Sequence, residues 1–276
     1  MVIDSHQHFW KYDPAEYGWI EPSMSAIRRD FLPEDLRPSL QAAGVDGVIC
    51  VQARQSLEET HWLLRLANDN PFVRGVVGWA PLVSDHVKHD LETVGADPKL
   101  RGIRHVLQGE SDEHYMDRED FNRGLSLLKE FGLTYDLLIL ARQLPQALRL
   151  VDRHPRQVFV LDHIAKPNIK AAHREPWAKH IGELARRTNV YCKVSGMVNE
   201  ADWQAWTEGA LREYFDVVLG AFGAERLIAA SDWPVCLVAC GYKRWWEILR
   251  QWTAGWSSAD QQQFVGLNAA KAYGLK

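Results

Sequence analysis

The chain has 276 residues, of which 46% are hydrophobic and 12 are tryptophan, so it can bury a large core as one α/β domain. Its formal net charge of -4 gives no electrostatic basis for binding nucleic acid or an acidic membrane surface. No apolar run reaches the roughly 18 residues needed to cross a bilayer, and no signal-peptide pattern is present, so we expect a soluble, cytoplasmic protein.

Apolar runs alternate with helical patterns along the whole chain. Runs rich in β-branched residues predict strands at residues 2–5, 47–52, 73–79, 102–107, 133–139, 158–162, 190–195 and 227–231. Amphipathic patterns predict helices at residues 33–43, 57–68, 85–94, 118–131, 144–154, 177–188, 202–222, 242–255 and 258–273. Eight mostly apolar strands with helices between them predict a single-domain (β/α)8 TIM barrel over residues 1–276 rather than a doubly wound sheet.

Local signals mark the helix ends and one long connection. Ser258 opens a pattern close to a capping box, and Gly44, Gly132 and Gly223 stand where helix C-termini need a positive φ. Residues 9–30 are rich in aromatic side chains and too long for an ordinary connection, so they predict a lid or pocket wall after strand 1.

The four cysteines do not form a recognisable disulfide or metal motif. Cys50 and Cys192 lie inside apolar runs, and Cys236 and Cys240 are close in sequence but lack a Cys-x-x-Cys spacing. We expect all four to be reduced core residues of a cytosolic protein.

The first strand leads into Asp4, His6 and His8. If residues 2–5 form a strand, the alternation of side chains projects these three residues to one side. Two converging imidazoles suit a divalent metal, or a cluster of donors and bases aimed at a carbonyl group. A solvated histidine pair on a frayed N-terminus is the alternative, so the other strands must decide.

Polar residues also stand at the ends of most other strands. The chemistry of such barrels lies at the C-terminal ends of the strands, so this arrangement predicts a polar pocket. The further polar residues near these ends are Gln52, Arg54, Arg104, His105, Asp136, Asp162, His163, Lys166, Lys193, Ser195 and Asp232.

Adjacent residues in a strand point in opposite directions, so we expect one member of each polar pair to face the pocket. Of Asp162 and His163, we predict His163 inside because it stands closer to the strand end. Arg104 and His105 leave the choice open, and a salt bridge to a neighbouring helix is the alternative for either.

Lys193 and Asp232 have different expected roles. Lys193 stands two residues before Ser195, so the two side chains point to the same side of the strand. We predict that Lys193 is a deeper structural cation paired with Asp4 or Asp232. Asp232 ends an apolar strand, and Pro234 disfavours a helix that Asp232 could cap, so we predict a catalytic role for this acid.

Together these motifs resemble the amidohydrolase superfamily, and most closely its sugar-lactonase branch, over essentially the whole chain. The motifs are Asp4-Ser-His-Gln-His8, Gly102-Ile-Arg-His105, Tyr135-Asp136, Leu161-Asp-His-Ile-Ala-Lys-Pro167, Lys193-Val-Ser-Gly196 and Ser231-Asp-Trp-Pro-Val-Cys236. The resemblance implies hydrolysis of a sugar-acid lactone, L-fucono-1,5-lactone or a related aldonolactone, to the open-chain aldonate.

The metal pattern of the superfamily is only partly present. Binuclear members resemble this chain at His6, His8 and Asp232, but they carry a bridging lysine on strand 4 where this chain has Arg104. One divalent ion such as zinc on His6, His8, His163 and Asp232 fits by ligand type. The resemblance to the lactonase branch implies that hydrolysis can proceed without bound metal, so we expect no required cofactor.

The expected site has a catalytic and a substrate-binding part. Asp232 is expected to act as general base and then acid, with Arg104, His105 and His163 stabilising the oxyanion. The residues expected to contact the sugar are His6, His8, Trp10, Gln52, Arg54, Trp79, Lys166 and Trp233. Core packing is the alternative for Trp79.

Two other functions stay open at this point. A metal-dependent decarboxylase, or another hydrolase of the same superfamily, is the first, and the decarboxylase would lose activity on chelation and release carbon dioxide. A non-catalytic sugar-acid binder is the second, and aldonates would stabilise it against heat without turnover.

Overall fold

Residues 1–275, which a computed structural model describes, form eight strands with helices between them. The strands are parallel and follow one another around the sheet in chain order. They are β1 Ile3–Gln7, β2 Gly47–Val51, β3 Val73–Gly78, β4 Leu100–His105, β5 Thr134–Leu137, β6 Phe159–Leu161, β7 Val190–Val194 and β8 Leu227–Ala229. The predicted (β/α)8 barrel is confirmed.

The helices lie between the strands and after β8. They are α1 Pro33–Ala43, α2 Leu57–Asp69, α3 Val87–Gly95, α4 Glu119–Leu127, α5 Leu144–Arg153, α6 Trp177–Leu184, α7 Glu208–Phe222 and α8 Tyr242–Thr253. The last helical stretch comprises α9 Ser258–Gln262, a π-helical turn at Gln263–Leu267 and α10 Asn268–Ala272. Within residues 1–275, no helix is both long and apolar enough to cross a membrane.

The helix ends confirm three predictions and correct two. The glycines predicted to have a positive φ after helices all do so, at Gly44, Gly132 and Gly223. Ser257, not the serine that follows it, caps α9, since its hydroxyl accepts a hydrogen bond from the backbone N–H of Asp260. Helix α7 starts at residue 208 rather than 202, because the Thr207 side chain caps it by accepting from Ala210 N–H.

The barrel closes between β1 and the segment after β8. The Asp232 N–H donates to the His6 carbonyl at 2.8 Å, and the His8 N–H donates to the Trp233 carbonyl at 2.7 Å. Because these bonds interleave, the backbone that seals the barrel also sets Asp232 beside the two histidines. The position of this acid therefore follows from barrel closure.

The barrel interior has an apolar layer closed at one end by the C-terminal helix α10. Its buried members are Ile3, Ile49, Val51, Val77, Val160, Tyr191 and Ile228, packed against Ala269, Ala272 and Tyr273. Asp162 and Lys193 follow two residues after Val160 and Tyr191, so the next layer towards the strand ends is charged. The Tyr273 hydroxyl lies 2.8 Å from Asp136 Oδ2 and links the two layers.

Strand β1 corrects the expectation that Asp4, His6 and His8 share one side. The register of β1 against β2 shifts between Asp4 and Gln7, which breaks the simple alternation of side chains. The buried Asp4 carboxylate accepts from the Ser231 hydroxyl and, at 3.0 Å, from the Tyr242 hydroxyl on α8. Asp4 therefore fixes the end of β8, and it is not the partner of Lys193.

The aromatic segment after β1 packs onto the barrel mouth. Trp10 is fully buried, and its backbone pairs with that of Phe31 through two 2.9 Å hydrogen bonds. The Trp10 indole N–H donates to the Arg29 carbonyl at 2.8 Å. In contrast, Trp19 is 41% exposed. The segment is thus a fixed wall with one aromatic side chain left at the surface.

Glu59 in the first turn of α2 ties this wall to the loop after β2. Its Oε2 accepts from the backbone N–H groups of Ala53 at 2.9 Å and Arg54 at 2.7 Å, and its Oε1 accepts from the Tyr17 hydroxyl at 3.4 Å. Burial raises the pKa of Glu59 from 4.5 to about 7, although the two backbone donors and the positive charges of Arg54 and Arg104 lower it.

The raised pKa of Glu59 predicts a pH-dependent stability. The folded state binds a proton at the Glu59 carboxylate more tightly than the unfolded state does. The stabilisation from this protonation is therefore complete below pH 4.5 and is lost as the pH rises towards 7. The melting temperature of the wild type, relative to Glu59→Gln, should therefore fall over this range. The exposed neighbour variant Glu58→Gln should leave the profile unchanged, and a difference that instead grows with pH would contradict the assignment.

Candidate active site

A cavity of about 160 Å³ lies at the C-terminal ends of the strands. Its polar lining consists of His8, Arg104, Gln108, His163, Lys166 and Asp232. Its apolar lining consists of Trp19, Ala53, Val106, Leu138 and Val235. The residues come from the ends of six different strands and from the aromatic wall. A small cavity of this mixed character suits a ligand about the size of one sugar ring.

Three histidines converge on one oxygen of Asp232. Asp232 Oδ1 lies 3.4 Å from His8 Nε2, 3.7 Å from His6 Nε2 and 3.8 Å from His163 Nε2. The Nε2 atoms of His6 and His8 are 3.1 Å apart. All four side chains are at least nine-tenths buried. We call these four residues the donor cluster.

The second ring nitrogen of each histidine is held from behind. His8 Nδ1 lies 2.7 Å from the Val51 carbonyl, and His163 Nδ1 lies 2.9 Å from the Ser195 hydroxyl. His6 Nδ1 lies 3.1 Å from Lys193 Nζ. Such outer contacts fix ring orientation, so each Nε2 is aimed inward.

The donor cluster has room for a proton or a metal ion between its members. A carbonyl can only accept, so His8 Nδ1 carries the hydrogen and Nε2 presents its lone pair to the Asp232 carboxylate. Two acceptors at 3.4 Å are favourable only when a proton or a metal ion lies between them. His6 Nε2, His8 Nε2 and Asp232 Oδ1 are separated by 3.1, 3.4 and 3.7 Å, which also matches tetrahedral zinc, whose ligands at about 2.0–2.1 Å lie about 3.3 Å apart.

His6, His8 and Asp232 therefore fit one metal ion, whereas His163, the fourth ligand predicted from sequence, lies 3.8 Å from Asp232 Oδ1 but outside this group of mutually close ligand atoms. A second ion has no comparable site beside strand β4, because the Arg104 guanidinium lies 3.3 Å from His6 Nε2 there. Within residues 1–275, the further grouping of His6 with Asp162 and His163 reuses two of the same side chains.

Burial and neighbouring charges set the protonation of the cluster. Burial would raise the pKa of Asp232, but the nearby His163, His8 and His6 outweigh it, so the pKa lies below its ordinary value. Burial lowers the pKa of His163 to about 4 and that of His6 well below its ordinary value. At neutral pH the cluster therefore combines a carboxylate with neutral His6 and His163.

Arg104 forms part of the cavity floor and is held rigidly. Its Nε and Nη2 donate to Gln52 Oε1 at 3.0 and 2.7 Å, and Nη2 also donates to the Gln52 carbonyl. Its Nη1 donates to Asp162 Oδ2 at 3.0 Å. Gln52 is fully buried, so the structure places it behind Arg104 rather than against a ligand. Arg104, not His105, is the inward member of its pair.

The segment His163–Lys166 sets the directions of the other polar pair, Asp162 and His163, in a way that strand alternation could not predict. Asp162 is fully buried and points into the barrel interior, yet His163 also lines the cavity. Residues 163–166 all have φ between 48° and 62°, which forms a left-handed turn. This turn brings both His163 and Lys166 to the cavity, so His163 lines it as predicted, while Asp162 lies deeper in the barrel interior and does not line it.

Gly196 makes room for His163. Its φ is 68°, and a β-carbon there would lie 2.8 Å from His163 Cβ, Cγ and Nδ1. Glycine alone satisfies both the positive φ and the close contact. The Lys193-Val-Ser-Gly196 motif thus seats the histidine from the neighbouring strand.

His105 and Trp79 lie outside the cavity. His105 Nε2 is 2.6 Å from Glu110 Oε1, and its Nδ1 accepts from the Trp79 indole N–H at 3.3 Å. The His105 ring also stacks on Tyr115, with ring centres 4.9 Å apart. Because both ring nitrogens have partners, His105 serves as a brace of the β4 loop, and its geometry does not support the expected oxyanion contact.

Four further residues expected to contact the sugar also lie outside the cavity lining, and the first of them, His6, is fully buried. Trp10 is buried behind His8, with ring centres 6.3 Å apart. Trp233 packs edge-on against Phe31 at 5.2 Å. Arg54 forms an ion pair with Glu16 and lines a separate surface cavity. Aromatic and basic residue types alone could not show which way these side chains point.

Several residues of the site were not predicted from the sequence. Trp19 and Gln108 line the cavity, and Glu200 pairs with Lys166 at 3.6 Å. Asn199 donates to Asp232 Oδ2 at 2.7 Å. Trp19 belongs to the predicted aromatic wall, which was a usable signal, whereas the other three stand in loops with no periodic pattern.

Known proteins are similar to this chain in sequence. A family model described as Amidohydrolase matches residues 3–275. The chain is 38% identical to an L-fucono-1,5-lactonase of Burkholderia multivorans, and the match covers all of this chain and 96% of that protein. It is 24% identical to an L-rhamnono-gamma-lactonase of Scheffersomyces stipitis over 64% of this chain and 59% of that protein.

Solved structures agree with the sequence matches. A crystal structure of an amidohydrolase from Burkholderia multivorans with bound HEPES has a TM-score of 0.96, with 38% identity and full coverage of both chains. A second crystal structure of an amidohydrolase from that organism, with bound zinc, has a TM-score of 0.95 at the same identity and coverage. The chain therefore belongs to the amidohydrolase family, as its motifs predicted.

Proposed function

We propose that this enzyme hydrolyses a sugar-acid lactone, L-fucono-1,5-lactone or a related aldonolactone, to the open-chain aldonate. The observation that carries the proposal is the Asp232 carboxylate, which is buried, ionised and surrounded by three imidazoles, and which lines a cavity of sugar size together with His8 and His163. Full-length similarity to an L-fucono-1,5-lactonase supports this choice of reaction.

The cavity offers complementary surfaces for a sugar lactone. Trp19 provides an aromatic face for the C–H side of the ring. Gln108 and Lys166 provide hydrogen-bonding groups for hydroxyls, and Glu200 limits how far the Lys166 ammonium can move. The positively charged Arg104 lies at the cavity floor, where it favours an oxyanion and, after ring opening, a carboxylate.

Asp232 begins the reaction as general base. It takes a proton from a water molecule while the water oxygen bonds to the lactone carbonyl carbon. The carbonyl oxygen becomes an oxyanion, which the charge of Arg104 stabilises. His163 and His8 hold Asp232 in place throughout this step.

Collapse of the intermediate opens the ring. The bond between the carbonyl carbon and the ring oxygen breaks, and the ring oxygen leaves with the electron pair. Protonated Asp232 returns its proton to that oxygen, so the enzyme regains its starting state. The new carboxylic acid ionises in water and releases one proton for each lactone consumed.

A divalent ion, when bound to His6, His8, His163 and Asp232, would supply Lewis-acid activation and lower the pKa of a bound water. We propose that hydrolysis does not require it. A lactone carbonyl is a reactive electrophile, and Arg104 already places a permanent positive charge at the cavity floor.

We also propose that the enzyme works in the cytoplasm and binds neither nucleic acid nor membrane. Within residues 1–275, all four cysteines are buried and free of disulfides, which fits a reducing compartment. The formal net charge of -4 offers no general attraction for polyanions.

Loss of the base should strongly reduce turnover. Proton release is measured on adding L-fucono-1,5-lactone and a panel of other aldonolactones to wild type and Asp232→Asn. We expect kcat to fall by about 10²–10⁴-fold for the variant, the usual contribution of a general base. Asp202→Asn, an exposed aspartate outside the cavity, is the matched control. Full activity of Asp232→Asn would exclude Asp232 as the base.

Chelation tests the metal requirement. After dialysis against a strong chelator, the enzyme should keep kcat/KM for its best lactone within about threefold of the untreated protein, because Asp232 and Arg104 carry the reaction. Loss of more than about tenfold, restored by added zinc, would instead make the ion a required cofactor. Metal-dependent release of carbon dioxide from an aromatic acid would favour the decarboxylase.

A further inference from the structure

We propose that Asn199, in the loop after β7, is a positioning residue that fixes the rotation of the Asp232 carboxylate. The inference rests on the proposed function where it concerns turnover, because Asp232 is the base there. It also concerns the donor cluster itself, whatever the reaction. The Asn199 amide N–H donates to Asp232 Oδ2 at 2.7 Å.

The two oxygens of Asp232 have separate partners. Oδ1 faces the imidazoles of His6, His8 and His163 at 3.4 to 3.8 Å, and Oδ2 receives the Asn199 amide hydrogen. The terminal torsion of an aspartate is broad and roughly two-fold, so the carboxylate plane is not fixed by its own geometry. The hydrogen bond from Asn199 selects the rotation that presents Oδ1 to the histidines.

The sense of the Asn199 amide follows from its partner. A carboxylate can only accept hydrogen bonds, so Nδ2 must face Asp232 and Oδ1 must point away. Asn199 Oδ1 is buried, and no group among residues 1–275 donates to it. A buried acceptor without a donor is unfavourable. The side chain is thus oriented for Asp232 at the expense of its own hydrogen bonding.

The backbone of the loop does not depend on this side chain. The Asn199 N–H donates to the Gly196 carbonyl at 3.0 Å, and the Asn199 carbonyl accepts from the Trp203 indole N–H at 2.9 Å. Both contacts survive a change of side chain. Replacement by leucine should therefore remove the contact to Asp232 while leaving the loop in place.

The test compares Asn199→Leu with a matched control, Asn189→Leu. Asn189 is also half-buried, and its amide donates a 2.7 Å hydrogen bond to the Gln157 carbonyl, outside the donor cluster. Zinc affinity is measured by competition with a fluorescent chelator, and kcat and KM are measured on L-fucono-1,5-lactone. Melting temperatures report any general loss of stability.

We expect Asn199→Leu to bind zinc about 10–100-fold more weakly and to lose a similar factor in kcat, as outer contacts to metal ligands and catalytic groups commonly contribute. KM should change little, because Asn199 does not line the cavity. Asn189→Leu should keep the wild-type values of zinc affinity and kcat even if it melts earlier.

Wild-type zinc affinity and kcat in Asn199→Leu would overturn the positioning role. If the wild type turns over no lactone, the proposed function fails, while the zinc titration still judges Asn199. If the wild type also binds no zinc, crystal structures decide. An Asp232 carboxylate plane that is the same in wild type and Asn199→Leu would overturn the proposal, and a rotated plane would support it.

Discussion

The site depends on the contacts that the Lys193 ammonium makes inside the barrel. Lys193 is fully buried, and its Nζ lies 2.6 Å from Asp136 Oδ2, 3.0 Å from Asp162 Oδ1 and 3.1 Å from His6 Nδ1. Asp162 in turn accepts from Arg104 at 3.0 Å. One cation therefore joins two carboxylates to the histidine and the arginine above them. The sequence prediction of a deep structural cation holds, but its partners are Asp136 and Asp162 rather than Asp4 or Asp232.

Charge balance in this layer explains why the arrangement is rigid. Burial raises the pKa of Asp136 to about 6, against the lowering effect of Lys193, while Lys193 and His6 overcome burial at Asp162 and hold its pKa well below the ordinary value. A buried charge whose partner is removed typically destabilises a fold by about 3–5 kcal/mol. Each charged side chain here is thus held in place by the others, and their contacts with His6 Nδ1 fix the orientation of the His6 ring.

Backbone strain is concentrated at the same place. Four successive residues without a glycine adopt the left-handed region at 163–166, a conformation that costs roughly 1–2 kcal/mol per residue. The turn is held by packing, because Ile164 and Ala165 are fully buried and the Trp177 indole donates to the Ile164 carbonyl at 2.7 Å. Stability elsewhere in the barrel thus supports a turn that aims His163 and Lys166 at the cavity.

The sequence predicted those features that follow from periodicity and strand ends. Alternating apolar runs predicted the barrel, and the strand-end rule pointed to Arg104 and Asp232, which the structure places at one cavity. It could not predict the register shift in β1 that redirects Asp4, because a shifted ladder leaves no mark in the apolar pattern. It also could not place Trp10, since a large aromatic side chain suits a core and a sugar site equally well.

The buried pair of Lys193 and Asp136 acts as a unit beneath the site. A double-mutant cycle in the free energy of unfolding, with Lys193→Met, Asp136→Asn and the double variant, tests it most directly. We predict that each single change is strongly destabilising and that the double variant is less destabilised than their sum by at least about 1 kcal/mol, within the usual range for coupled residues. Additive effects would show that the two residues act independently and would contradict the claim.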